Sequence, residues 1–340
     1  MKKVGKEIYS QLRACLPNTL RGTLTKALYD LGLKPTVNKE AKSFLKKGIV
    51  VFSGDFELSW AWRYAKGSVN YLEKGRLERK NVPEILELLD FYHIPATWAT
   101  VGHLFLNECI REDLRLPHPD MLRPAYFMND VWQFNDGDWY DHDPCSNPEN
   151  APEWYAPDLI GKILQSKVKH EIACHTFSHI DFSARNCPSE LADSEIRKCL
   201  QVAQRFYVNL ESMVFPGNTF GNFDVLEKWG FICYRQQTAF DIDLPKKDKY
   251  GLVIIPDGGM LDKDPYGWSD DFHIKAARKC VEQAIKHRLV CHFWFHPSMD
   301  EQYLHKIFPA ILKYVSEQAQ KKRIDIMTMK DLANLSNSLS

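Results

Sequence analysis

From Gly48 onward the sequence predicts an α/β fold whose parallel sheet curls into a barrel, preceded by a basic helical arm. Three observations carry this. Short apolar runs alternate with segments of helical apolar spacing, the pattern of a parallel sheet covered by helices. Some seven or eight such units fit into about 290 residues, which favours a barrel over an open sheet. Polar residues end four of the apolar runs, and barrel active sites lie at the C-terminal ends of the strands.

The arm comes first. Residues 1–47 hold eleven Lys/Arg against three Asp/Glu, although the 340-residue chain has a formal net charge of zero. Ile8, Leu12, Leu16, Leu20, Leu24, Leu28 and Leu31 fall near helical spacing, interrupted by Pro17, and the helical pattern ends near Pro35. Two readings of the arm stand: a solvated face packed on the main domain, or a peripheral contact with an anionic membrane or lipid-linked phosphate. No apolar run of about 18 residues calls for a membrane span, and no apolar segment follows the basic start as a secretory signal would require. Nine scattered cysteines show no C-x2-C spacing. They read as reduced, largely apolar thiols, which together with the missing signal implies a cytoplasmic protein. There is no Gly-rich phosphate loop and no basic-aromatic patch, so nucleic acid is not expected as a partner. Nothing in the sequence addresses the oligomeric state.

The main domain is expected to span residues 48–340. Gly48 to Phe56 reads as a buried strand ending in polar residues. Asn81 to Tyr92 has helical spacing, with Pro83 near its first turn, and Pro95 to Val101 is a second strand. Residues 111–155 lack periodicity and are crowded with Asp, Asn, Pro and Trp, as a functional loop or lid would be. Its aromatics (Trp132, Trp139, Trp154, Tyr126, Tyr140 and Tyr155) are either sugar-stacking platforms over the barrel mouth or an aromatic mini-core beneath the loop. Ala156 to Val168 is a helix, Ile172 to Cys174 a strand, and Ser189 to about Asn209 a long helix. Short strands follow at Met213 to Phe215, Phe231 to Tyr234 and Leu252 to Ile255, with a helix at Asp224 to Trp229. Phe272 to His287 is helical, Leu289 to Phe295 a strand, and Gln302 to Gln318 a helix. Ile324 to Met327 then leads into a last short helix.

Four strand ends gather the chemistry. Asp55 and Glu57 leave the first strand two residues apart and so point the same way. His175 and His179 leave the Ile172 to Cys174 strand. Two imidazoles at this spacing supply two of the three protein ligands that a catalytic zinc commonly takes, and a carboxylate would come from elsewhere. Phe215-Pro216-Gly217-Asn218 is a turn whose N–H groups could face a ligand, and His292 and His296 end the penultimate strand.

These motifs resemble the polysaccharide deacetylase superfamily, carbohydrate esterase family 4, with its NodB-homology domain. The resemblance runs from about Gly48 to Met329. It is most specific in His175-Thr176-Phe177-Ser178-His179 preceded by Glu171, and is supported by the Asp-bearing first strand, by Pro95 to Gly102, by Glu153 to Ile160 and by His296-Pro297. It implies a distorted (β/α)7 barrel that removes acetyl groups from N-acetylated sugars with one divalent metal, usually zinc. It further implies Asp55 as the base, Glu57 with His175 and His179 as the metal ligands, the Gly217 N–H (with Asn218 beside it) at the oxyanion position, and His296 as the general acid, with His292 a competitor. Where the family carries an arginine that orients the base, this chain has Val214, and Arg235 is one replacement. The rival readings are a hydrolase of another C–N bond, such as a formamide or a cyclic ureide, and a non-catalytic carbohydrate-binding barrel.

Overall fold

All nine residues of Gly48–Phe56 are buried and form the central strand β1; its apolar stretch Ile49 to Phe52 suits a strand covered on both faces. This computed structural model describes residues 18–67, 69–109, 111, 116–262 and 267–339. Six further strands run parallel to β1: β2 (Thr97–Thr100), β3 (Glu171–Cys174), β4 (Ser212–Val214), β5 (Cys233–Gln237), β6 (Val253–Asp257) and β7 (Val290–Phe295). They pair in the order β7-β1-β2-β3-β4-β5-β6. Just beyond β6 the Gly258 N–H donates to the His292 carbonyl at 2.9 Å, and Gly259–Met260 then pairs with Phe293 and Trp294 of β7. The sheet edge thus returns to its start, and the distorted (β/α)7 barrel is the observed fold. A Cβ at residue 258 would lie 2.8 Å from the Asp241 carbonyl oxygen and 2.9 Å from that of His292, so the closure depends on glycine. An eighth strand, β8 (Ile324–Met327), pairs with the first half of β1, while β2 pairs with the second half.

The described helices are α1 (Asn18–Asp30), α2 (Tyr71–Tyr92), α3 (Pro157–Gln165), α4 (Ser189–Gln204), α5 (Phe223–Lys228), α6 (Asp270–His287), α7 (Phe308–Gln320) and α8 (Met329–Leu339). Helix α2 corrects the sequence reading, because it begins well before Asn81. Asn70 caps it by accepting from the Glu73 N–H at 3.2 Å, and Pro83 lies inside the helix rather than in its first turn. The early turns are mostly charged (Glu73, Lys74, Arg76, Arg79, Lys80) and so carry no apolar periodicity.

The arm packs on the barrel as far as it is described. Tyr29 on α1 meets Trp268 and Phe272 edge-on at 6.3 and 5.8 Å, and Trp268 Nε1 donates to the Gly22 carbonyl. Lys34 and Thr36 both bind the Asp241 carboxylate. The expected amphipathic segment from Ile8 to Leu16 lies outside the described residues. Among the described residues no helix is long and apolar enough to cross a membrane.

The first residue of β1 fixes how closely α6 approaches the barrel. A Cβ on Gly48 would fall 2.8 Å from the carbonyl carbon and oxygen of Ala284 in α6. Backbone cannot yield as a side-chain tip can, so Gly48→Ala is expected to destabilise the protein by about 1–3 kcal/mol, the usual cost of overpacking. An unchanged midpoint in urea unfolding would contradict this packing.

Candidate active site

Strand β3 delivers His175 and His179 through a turn that the surrounding residues clamp. Thr176 and His179 both take the left-handed backbone conformation, and Thr176 Oγ1 accepts from the Ile180 N–H. The carboxylate of Glu195, fully buried on α4, accepts from both the Ser178 N–H and its hydroxyl at 2.8 Å. Trp139 Nε1 donates to the same Ser178 hydroxyl, and buried Arg63 donates to the Ser178 carbonyl. Almost every polar atom of Ser178 is therefore held, and the two imidazoles on either side are aimed by a rigid turn.

They are aimed at Glu57. His175 Nε2 lies 2.9 Å and His179 Nε2 3.0 Å from the same oxygen, Glu57 Oε1. Burial by itself would raise the Glu57 carboxyl, but the facing histidines outweigh it and hold the group well below the usual carboxylate range. Burial pushes His179 down to about 4 against the pull of Glu57. His175 Nδ1 donates to the Val214 carbonyl at 2.7 Å, which leaves the Nε2 lone pair of a neutral ring pointing at a carboxylate oxygen. Among the described residues, Glu57 Oε2 is buried without a hydrogen-bond partner. One carboxylate with two imidazoles is a donor set that suits a divalent metal. Glu57, His175 and His179 could hold one.

The second carboxylate is occupied differently. Arg235, on β5, forms a fork on Asp55, with Nη1–Oδ1 at 2.7 Å and Nη2–Oδ2 at 2.6 Å. Both side chains are buried, and the guanidinium also donates to Ser53 Oγ and lies over the Trp294 ring. With both oxygens bound to Arg235, Asp55 is the poorer metal ligand of the two carboxylates. His292 hydrogen-bonds Ser53 Oγ at 2.8 Å and the Pro256 carbonyl at 3.2 Å inside the barrel wall. It is fully buried, whereas His296 is 20% exposed and reaches within 3.8 Å of Glu57 Oε2. Of the two histidines, His296 is the one that lines the cavity above the carboxylates.

A cavity of about 170 Å³ opens over this set, with Asp55, Glu57, His179, Gly217, Asn218, Arg235 and His296 in its lining. Its aromatic walls are Trp62, Trp132, Phe215 and Trp294. Only Trp132 belongs to the insert. Its ring is 5.1 Å from that of His179 and covers Gly217, where a Cβ would fall 2.6 Å from the indole. Trp139, Tyr140, Trp154 and Tyr155 are at most 3% exposed, so these four form an aromatic mini-core and are not sugar platforms. Tyr126 is exposed but does not line the cavity. The sequence reading missed Trp62 and Trp294 as walls, and also Arg63 and Glu195; none of the four lies in a spaced motif.

With the geometry in place, comparisons with known proteins add the following. Residues 71–219 match the polysaccharide deacetylase family. A structure from Mycobacterium smegmatis described as a polysaccharide deacetylase is similar at 14% identity and a TM-score of 0.61, over 88% of this chain and 93% of that one. One from Pseudomonas aeruginosa PAO1, described in the same way, is 11% identical with a TM-score of 0.53, over 84% and 89% of the two chains. Puue allantoinase is 11% identical with a TM-score of 0.55, over 88% and 95%. At these identities the likeness is one of fold. No curated protein matches.

The buried His292 makes the fold sensitive to acid. Burial, reinforced by Arg235, pushes it down to about 3, while in the unfolded chain it titrates near 6.5. Between these values the unfolded state binds more protons, so stability falls as pH drops from about 6.5 toward 3. His292→Gln should flatten part of this decline in denaturant midpoints measured across that window. An identical slope in the variant would contradict the assignment.

Proposed function

Because the chain belongs to the polysaccharide deacetylase superfamily, we propose that it hydrolyses the N-acetyl group of an N-acetylated sugar or glycan precursor, and that it does so with a divalent metal of the zinc class. The observation that carries this reading is the convergence of His175 Nε2 and His179 Nε2 on Glu57 Oε1, beside a second carboxylate that Arg235 holds separately. Glu57, His175 and His179 would hold the metal, which when bound polarises an acyl carbonyl and acidifies water.

The remaining roles belong to the chain's own residues. Asp55, fixed by the Arg235 fork, takes the proton of the attacking water. Arg235 supplies the guanidinium that Val214 cannot, and this supports a catalytic barrel over one that only binds carbohydrate. The Gly217 N–H, on the cavity wall, stabilises the charge that develops on the acyl oxygen. His296 protonates the departing nitrogen, which an amide requires before its C–N bond can break. Trp62 and Trp294 offer apolar faces to the sugar ring. The cavity of about 170 Å³ suits an acetamido group with part of its ring. A neighbouring cavity of about 300 Å³ shares Asn218 and Trp294 with it and would take the rest of the substrate.

The two carboxylates separate in a direct test. Asp55→Asn is expected to keep its metal and lose about 10²–10⁴-fold in acetate release, the usual weight of a general base. Glu57→Gln is expected to lose metal, with activity partly recovered in excess metal. Metal content and acetate release measured on both variants decide the matter. The opposite pattern would exchange the two roles, and full activity with full metal in both would place the site elsewhere. Cleavage of a cyclic ureide or a formamide without any acetate release would favour the other C–N hydrolase reading.

A further inference from the structure

A second set of metal-ligating side chains lies in and beside the long insert. We propose that Cys109, His118, Asp143 and Cys145 form a separate binding site for a thiolate-preferring divalent ion such as zinc, one that pins the insert to the barrel.

Cys109 Sγ is 3.0 Å from Cys145 Sγ and 3.4 Å from His118 Nε2. His118 Nε2 in turn is 2.7 Å from Asp143 Oδ2, and His103 Nε2 reaches that same oxygen at 3.0 Å. His118 and Asp143 are buried, and both cysteines are partly so. The other oxygen, Asp143 Oδ1, is already satisfied by the Tyr155 hydroxyl at 2.8 Å and the Cys145 N–H at 2.9 Å. Oδ2 is thereby fixed in place facing the imidazoles. Sulfur, nitrogen and oxygen donors thus run in a chain of short contacts from Cys145 through Cys109 and His118 to Asp143, and ligand atoms of Cys109, Asp143 and Cys145 all lie within 4.8 Å of one another; these are the ligand types of a structural zinc site. The sulfurs stand well beyond the 2.03–2.05 Å of a disulfide. Thiolate ligands favour zinc over magnesium or calcium.

The placement gives the site a purpose. Cys109 follows the turn at Gly102–Phe105 that leaves β2, while His118 and the Asp143–Cys145 pair lie at opposite ends of the insert. An ion here would hold together the two ends of the segment that carries Trp132 over the catalytic cavity.

Cobalt(II) tests the proposal, because this site has thiolates and the Glu57 site has none. The full chain, purified under reducing conditions without chelator, is expected to hold two equivalents of metal. After exchange into cobalt(II) it should show thiolate-to-cobalt charge-transfer absorption. The double variant Cys109→Ser/Cys145→Ser should lose that band and one equivalent, whereas His175→Ala should keep the band and lose the other equivalent. Absence of the band in the wild-type protein would overturn the proposal. So would two thiols recovered only after reduction, which would make the pair a disulfide. If the double variant does not fold, the wild-type spectrum and His175→Ala still decide. A His175→Ala variant that kept both equivalents would count against the catalytic metal reading alone, so the two proposals fail separately.

Discussion

A carboxylate taken out of water at the end of β1 sets the terms for the barrel mouth. Glu57 is 3% exposed, and an ionised group in such a place must be matched by neighbouring charge or donors. Two imidazoles face one of its oxygens, and the turn that carries them is itself held by Glu195, Arg63 and Trp139. Behind it, the backbone N–H of Glu57 donates to Glu78 on α2 at 2.7 Å. Burial, with the nearby Glu57 charge adding to it, pushes the Glu78 carboxyl well above its ordinary range.

The fork between Arg235 and Asp55 is the complementary constraint. Two carboxylates two residues apart on one strand could compete for one cation. Arg235 takes both oxygens of Asp55, whereas the two histidines face Glu57 Oε1, so the two carboxylates are engaged by different partners. Removing one member of a buried pair leaves the other uncompensated, typically at a cost of about 3–5 kcal/mol. The pair therefore fixes the position of Asp55. Val214, which has no side chain fit for that task, contributes through its backbone instead, since its carbonyl sets the tautomer of His175.

Much of this arrangement was legible in the residues themselves. Gly48 to Phe56 reads as a buried strand that ends in polar residues and is the observed strand from end to end. His175 and His179 announce themselves by spacing, and the two carboxylates by their place at a strand end. Arg235 was visible only as one option, because its pairing with Asp55 spans the barrel and leaves no local trace. The early turns of α2 hide because charge covers their outer face. Trp132, Trp139 and Trp154 look alike in sequence, and only packing shows that the first faces the cavity while the other two are core. Cys109, His118, Asp143 and Cys145 come together through loop geometry, so no motif spacing marks them.

The central claim is that Glu57, His175 and His179 surround one metal while Asp55 remains on Arg235. Anomalous diffraction at the zinc edge, from crystals of the protein grown with zinc, tests it most directly. The account predicts a peak within bonding distance of one Glu57 oxygen and both Nε2 atoms, with the Asp55–Arg235 fork intact. A peak bonded to Asp55 instead, or no peak at these residues in protein that releases acetate, would contradict it.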